Sequence, residues 1–281
     1  IQLNHFFVFY LIMNKGKLYL IPNVIADHTQ HLDIPARILQ LLPTIKYFLV
    51  EDVRTARRYL SSLKVYPSIE DLHFEVLNKD TSPMELEKLL HPIQEGFHIG
   101  VLSESGCPGV ADPGALAVKY AHENNIQVIP LVGPSSILLA LMGSGLNGQS
   151  FAFHGYLPID SRVLAKAIRD FEKESRLKNQ TQIFIETPYR SNSLFQSLLS
   201  TLQDDTLLCI AADITGESED IRTYPIRRWK AVKKEIQKVP VVFVSSAKPR
   251  AIAICPPTKP LCDFAPKPGK IRSKSKSLRR S

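Results

Sequence analysis

The stretch HIGVLSESGCPGVADPGALAVKYAHENNIQVIPLVGPSS, residues 98–136, decides the fold. It reads twice as strand, turn and helix. The apolar run 98–103 leads into Ser103-Glu104-Ser105-Gly106-Cys107-Pro108-Gly109-Val110-Ala111-Asp112-Pro113-Gly114, then into a helical pattern over 114–124. The run 126–132 leads through Gly133-Pro134-Ser135-Ser136 into a helical pattern over 135–143. Three glycines and two prolines between Ser103 and Gly114 specify a fixed, irregular backbone that can approach a ligand closely. In open α/β sheets, ligands bind beyond the carboxyl ends of strands, which is where both turns fall. Asp112 capping the next helix is the structural alternative for the first turn. In the second, Ser135 or Ser136 either caps its helix or offers a hydroxyl and N-terminal N–H groups to a ligand.

Outward from this stretch the same alternation continues. Apolar runs at 17–22, 46–50, 73–77, 98–103, 126–132, 151–155, 182–187, 207–213 and 240–245 read as strands covered on both faces. Helical patterns fall at 34–42, 84–95, 114–124, 135–143, 161–178 and 190–202. Ser82-Pro83 supplies a cap and first turn for the helix at 84–95. The pattern predicts α/β layers with a mainly parallel sheet, at least in the first half. A five-strand unit ends near residue 132 and Gly133-Pro134 is the natural junction. The expected organisation is an N-terminal α/β domain at 16–132 and a C-terminal α/β domain at 133–246, with a ligand cleft between them.

Composition agrees with a folded body. Of 281 residues, 44% are hydrophobic and 22% charged, near the globular average. No apolar run approaches the roughly 20 residues that cross a bilayer. Cys107, Cys209, Cys255 and Cys262 lie far apart, which argues against a disulfide scaffold or zinc ribbon and for a reducing compartment. The net charge of +8 belongs to one end. Residues 247–281 hold ten lysines and arginines and one acid, while the other 246 residues hold 25 basic and 26 acidic groups. That end carries six of the twenty prolines and no periodicity, so a disordered extension is expected, with a phosphate-binding basic arm as the sharper reading. The apolar opening, residues 1–12, is too short to span a membrane and lacks a basic n-region and a cleavage site. It reads as an upstream addition or fragment boundary, with folding beginning near Met13 and residues 1–15 as a non-native or flexible extension; an edge strand or surface anchor is the rival reading.

The sequence has no G-x-G-x-x-G after its first strand, no P-loop, no H-E-x-x-H and no G-x-S-x-G. This leaves no ordinary signal for a dinucleotide fold, a P-loop NTPase, a zincin or an α/β-hydrolase, and no metal site is expected. Two further segments end strands in polar residues: Glu51-Asp52-Val53-Arg54, with Arg57 and Arg58 one turn on, and Glu186-Thr187-Pro188-Tyr189-Arg190. Arg222 to Lys238 has seven basic residues and the only tryptophan, Trp229. It reads equally as an RNA-facing patch, with Arg228 and Lys230 as contacts, or as a solvated amphipathic helix.

In this order, these segments resemble the tetrapyrrole-methylase superfamily of S-adenosylmethionine-dependent methyltransferases. The nearest resemblance within it is to the RsmI-like group of ribosomal small-subunit RNA 2′-O-methyltransferases. The counterparts are Leu20-Ile21-Pro22, Glu51-Asp52-Val53-Arg54, Ser103 to Pro108 with Ala111-Asp112-Pro113-Gly114, Val132-Gly133-Pro134-Ser135 and Glu186 to Arg190. Ser144-Gly145-Leu146, Phe153 to Pro158, and Asp213-Ile214-Thr215 with Glu217 extend the match over about residues 16–246. The chain departs from the group's pattern at Val53, Glu104, Cys107 and Thr187, and the tail shows no helical pattern to replace a C-terminal helical domain.

The resemblance implies two α/β domains with S-adenosyl-L-methionine in the cleft between them. By motif position, Pro22, Ser103, Glu104, Ser105, Gly106, Ser135, Phe184 and Ile214 surround the cofactor. Transfer to a ribose hydroxyl needs alignment and removal of a proton. Glu51, Asp52, Glu104 and Glu186 are the candidate bases. Arg54 and Arg190 are candidates for holding RNA phosphates. Cys107 reads as a small loop residue. The expected partner is ribosomal RNA or the small ribosomal subunit, in the cytoplasm, with a homodimer implied by the resemblance and no membrane. Two other functions stay open: a methyltransferase of a tetrapyrrole or other small molecule, and a catalytically weak RNA-binding or ribosome-assembly factor.

Overall fold

Short apolar strands with side chains alternating between two faces need cover on both sides, and the chain supplies it twice. The computed structural model describes residues 15–232 and 234–247. The first sheet contains β1 (Leu18–Ile21), β2 (Tyr47–Val50), β3 (His73–Val76), β4 (Ile99–Leu102) and β5 (Val128–Pro130). Its order is β3-β2-β4-β1-β5, and every pairing is parallel. Tyr19, Ile21, Phe48, Val50 and Leu102 pack on one face, while Leu18, Leu49, Ile99 and Val101 pack on the other. The helices covering it are α1 (Gln30–Asp33), α2 (Ala36–Leu41), α3 (Val53–Ser62), α4 (Pro83–Leu90) and α5 (Gly114–Glu123). At the start of α4, Ser82 and Glu85 form a reciprocal capping box with Pro83 in the first turn, as Ser82-Pro83 predicts.

The second sheet contains β6 (Phe151–Tyr156), β7 (Thr181–Glu186), β8 (Leu207–Ala212), β9 (Asp220–Pro225) and β10 (Val241–Ser246). Its order is β6-β7-β10-β8-β9, and only β6 and β7 run parallel. Phe184, Leu208, Ile210 and Phe243 face one core, and Ile183, Cys209, Ala211, Val242 and Val244 the other. Helices α6 (Ser136–Ser144), α7 (Ser161–Lys178), α8 (Ser191–Thr201) and α9 (Ile226–Ala231) complete the α/β architecture.

Two elements depart from the sequence pattern. Strand β9 takes only the first residues of the expected basic patch or amphipathic helix, because its polar alternation, DIRTYP, suits an edge strand bonded on one side only; the following residues form α9 with Trp229 buried, as the helical alternative expects. Helix α3, hinted at only by the arginines after Glu51-Asp52, is set by the Asp52 side chain, which accepts the Thr55 N–H at 2.6 Å. The expected extensions at 1–15 and 247–281 lie outside the described residues except for Lys15 and Ala247. Ala247 is buried and donates its N–H to Ser175 Oγ, so the folded body reaches at least that far. Among the described residues, no helix is long and apolar enough to cross a membrane.

Candidate active site

Because β1, β2 and β4 are adjacent and parallel, their carboxyl ends bring Pro22-Asn23, Glu51 and Ser103-Glu104 to one edge of the first sheet. The loop after β4 is fixed by a polar side chain from the end of β1. Asn23 is 4% exposed. It donates Nδ2 to the carbonyls of Ser103 (3.2 Å) and Glu104 (3.0 Å), while its backbone N–H donates to Gly106 O at 2.9 Å. Gly106 lies at φ 69°, a left-handed conformation that favours glycine. Ser103 Oγ donates to Ser105 O at 2.7 Å, closing the turn.

Asp112 organises the rest of that loop. Its Oδ1 accepts the N–H groups of Gly109 (2.6 Å) and Gly114 (2.8 Å), pinning the loop at the start of α5, whose N-cap is Pro113. Burial pushes its carboxyl above the ordinary range, partly offset by those N–H groups. Glu51 is likewise raised, first by burial and then by repulsion from Asp112, with the Glu104 N–H working the other way. Two neighbouring carboxyls held above their usual range are a common signature of a site that handles protons. Burial also raises the Cys107 thiol; Sγ lies 3.2 Å from Pro134 O, so it packs as a small loop residue rather than an activated nucleophile.

The second sheet presents a matching edge, where Glu186 of β7 pairs with Val241 of β10, which pairs with Ala212 of β8. Beyond β8, left-handed residues at Asp213 (φ 50°) and Thr215 (φ 65°) turn the chain so that Ile214 is buried there.

Between the two edges lies a cleft of about 490 Å³. From the first sheet it is lined by Ile25, Glu51, Ser103, Glu104, Ser105 and the 110–112 turn. From the second half it is lined by Ser136, Ile137, Tyr156, Ile185, Glu186, Ile214, Pro240, Val241 and Val242. Carboxylates and loop polar groups on one side oppose mainly aliphatic walls on the other. That mixture suits a ligand carrying both a cation and a flat apolar ring, and the volume lies within the usual range for small-molecule sites, about 300–1,000 Å³.

Of the site residues expected from sequence, the cleft gathers Glu51, Ser103, Glu104, Ser105, Glu186 and Ile214. Others support it without lining it. Pro22 closes the junction: a Cβ on Gly133 would stand 2.2 Å from Pro22 Cγ, so glycine lets the two strand ends meet. Gly106 shapes the loop. Ser135 caps α6 through the Leu138 N–H, and its neighbour Ser136 faces the cleft instead.

Other expected residues lie off the cleft. Phe184 is 2% exposed and stacks on Phe243, because strand alternation sends Ile185 to the cleft. Asp52 is committed to its cap, which holds its carboxyl below the ordinary range. Arg190 faces inward: Nη2 lies 2.9 Å from the Glu186 carboxylate, whose side chain is fully buried, and it also reaches Leu157 O. Glu186 Oε1 also accepts the Thr187 N–H, so this carboxylate is a paired anchor rather than a free base. Arg54 is exposed on α3 and lines no part of the cleft. Arg228 covers the Tyr224 ring at 3.8 Å and Lys230 pairs with Asp204 at 2.7 Å, both away from the cleft. Sequence reasoning missed Asn23, Tyr156 and the Val241-Val242 wall. Only the position of Asn23, directly after a strand ending in proline, carries a local signal.

No protein-family model matches the chain. Among known proteins it is similar to the ribosomal RNA small subunit methyltransferase I of Escherichia coli O157:H7, 29% identical over 222 residues, covering 79% of this chain and 73% of that protein. The methyltransferases of the same name from Vibrio cholerae (29% identical, 74% and 68% covered) and Synechocystis (28%, 73% and 69%) are similar to the same extent. Among solved structures it is similar to the uroporphyrin-III-C-methyltransferase of Thermus thermophilus, at 18% identity and TM-score 0.46, covering 82% of this chain and 92% of that one. With five motifs in register along the sequence and these relatives over most of its length, the chain is similar to the methyltransferases that carry the name ribosomal RNA small subunit methyltransferase I.

Proposed function

We propose that the protein is an S-adenosylmethionine-dependent methyltransferase that modifies the 2′-hydroxyl of a ribose in small-subunit ribosomal RNA. The observation that carries this reading is the cleft itself. Glu51, the Ser103–Ser105 turn, Glu186 and Ile214 lie far apart in sequence and line one space, and the relatives named above act on that RNA by name. S-adenosylmethionine, when bound, supplies an electrophilic methyl group. The residues that would hold it are Ser103, Glu104 and Ser105 on the polar side and Ile137, Ile214 and Val242 on the apolar side.

The chain's own groups do the rest. Glu51 is the proton acceptor for the ribose hydroxyl. Its raised affinity for a proton, caused first by burial and then by Asp112, makes it a better base than an ordinary surface carboxylate. Asp112 holds the 109–114 turn and repels charge on Glu51. Glu186, neutralised by Arg190, fixes the far wall. The aliphatic wall excludes water and so strengthens the electrostatics between the carboxylates and a cationic donor. Exposed Arg54 is available to RNA phosphate.

The two-domain division at Gly133-Pro134 belongs to this reading. Its support is that β1–β5 precede that point and β6–β10 follow it, in separate sheets. A cytoplasmic homodimer is the working form that the resemblance implies.

The test is transfer of label. Protein is incubated with methyl-labelled S-adenosylmethionine and either small ribosomal subunits lacking the modification or a porphyrinoid panel. Label in an alkali-resistant dinucleotide is expected. Label in a porphyrinoid replaces the RNA substrate with a tetrapyrrole, and RNA binding without label removes the enzyme.

A further inference from the structure

A second, smaller cavity of about 130 Å³ adjoins the cleft and shares Glu104 and Ile25 with it. One wall is a single face of α3: Thr55, Arg58, Tyr59 and Ser62, at the spacing that brings helix residues into line. The other wall is the loop after β1, including His28 and Gln30. His28 lies at φ 67°, a left-handed conformation uncommon outside glycine, in the turn that folds this loop against the helix.

The cavity holds both committed and free donors. Tyr59 Oη donates to Pro22 O and Ser62 Oγ to Tyr59 O, which fixes the floor and the helix edge. Arg57 on the neighbouring face pairs with Glu70. Among the described residues, the side chains of His28, Gln30 and Arg58 make no hydrogen bond or ion pair within the protein. A guanidinium left unpaired beside a cavity has the geometry for bidentate contact with a phosphate. The volume is well below the roughly 300 Å³ at which whole-ligand sites begin, so the cavity fits one unit of a larger substrate whose reacting end reaches past Glu104 into the cleft. The same guanidinium would hold a tetrapyrrole carboxylate, so it is the RNA reading above that selects a phosphate. On that reading the cavity takes one part of a nucleotide splayed from single-stranded RNA.

We propose that the cavity between the β1 loop and α3 is the acceptor-nucleotide subsite, with Arg58 on a phosphate of the RNA and Glu104 at the passage to the cleft. This rests on the RNA methyltransferase reading above. It makes Arg58 a substrate-binding residue distinct from those lining the cofactor cleft.

The test compares the full chain with Arg58→Ala, Arg58→Lys and Ser62→Phe; the last fills the mouth of the cavity from an exposed position without touching the cleft. Steady-state methylation of small-subunit RNA and calorimetric affinity for S-adenosylhomocysteine are measured for each. Arg58→Ala and Ser62→Phe are expected to raise KM for RNA at least 10-fold, with cofactor affinity within twofold of the parent and partial recovery in Arg58→Lys. Unchanged KM in both variants, with active parent protein, overturns the subsite and leaves the reaction standing. A parent protein that labels no RNA overturns the reaction and the subsite together.

Discussion

Replacing Asn23 by alanine removes the side chain that ties the end of β1 to the loop after β4. The two Nδ2 hydrogen bonds, to Ser103 O and Glu104 O, are lost together. Ser103 O is buried, so leaving it without a donor costs about 2 kcal/mol, and the partly exposed Glu104 O loses about 1 kcal/mol because water can replace the donor. The backbone bond from Asn23 to Gly106 O and the Ser103 hydroxyl turn survive, so the loop loosens without unfolding. A loss of about 3 kcal/mol lowers Tm by about 6–12 °C in a protein of this size. If half of that loss must be made good when the cofactor binds, affinity falls by about tenfold, since 1.4 kcal/mol is a factor of ten. Thermal melts with and without S-adenosylhomocysteine, together with calorimetric Kd, read both effects. Asn23→Asp keeps the acceptor for the Val24 N–H but sets a carboxylate against two carbonyls, so it is expected to be at least as damaging as alanine. A variant that melts lower yet binds the cofactor with parental affinity would refute the coupling of the Asn23 clamp to the site.

Three further outcomes follow from the geometry. Glu51→Gln is expected to lower kcat by about 10²–10⁴-fold, as loss of a general base does, and the parent's activity should fall on acidification through the raised titration of Glu51. Because that carboxyl holds its proton more tightly folded than unfolded, it destabilises the fold above its raised titration range. Glu51→Gln should therefore raise Tm at neutral pH, with the gain vanishing below the ordinary carboxylate range. Arg190→Ala leaves the buried Glu186 carboxylate without its cation and is expected to destabilise by about 2–4 kcal/mol, much of it recovered in the double variant with Glu186→Gln, as denaturant titration will read. Trp229→Phe loses the buried indole N–H donation to Leu208 O and should cost about 1–3 kcal/mol in the same assay while leaving cofactor affinity unchanged, because that ring is remote from the cleft.

Much of the scaffold was legible because buried strands write themselves as short apolar runs and turns as glycine and proline. The nine strands read from sequence include both edges of the cleft, and 161–178 matches α7 throughout. What was not legible follows from physics that a local pattern does not contain. The polar strand β9 needs only one partner and one buried face, so its composition resembles exposed helix or loop. Phe184 and Ile185 are adjacent apolar residues, and only the twist and pairing of β7 decide which of them meets the cleft. Arg190 looked available to RNA because a sequence shows a charge without its counter-ion; Glu186, four residues earlier at the end of β7, takes it inward. Three of the basic residues around Trp229 are likewise drawn off, with Arg222 and Lys234 on Asp220 and Lys230 on Asp204. Asn23 escaped notice for the opposite reason: its partners are backbone carbonyls some eighty residues on, invisible until β1 and β4 lie side by side.

A crystal structure of the full chain with S-adenosylhomocysteine tests the central claim most directly. The account predicts ligand density against the Ser103–Ser105 turn on one side and Ile214 and Val242 on the other, within 4 Å of Glu51 or Glu104. Density elsewhere on the molecule, or an open cleft at saturating ligand, would contradict it.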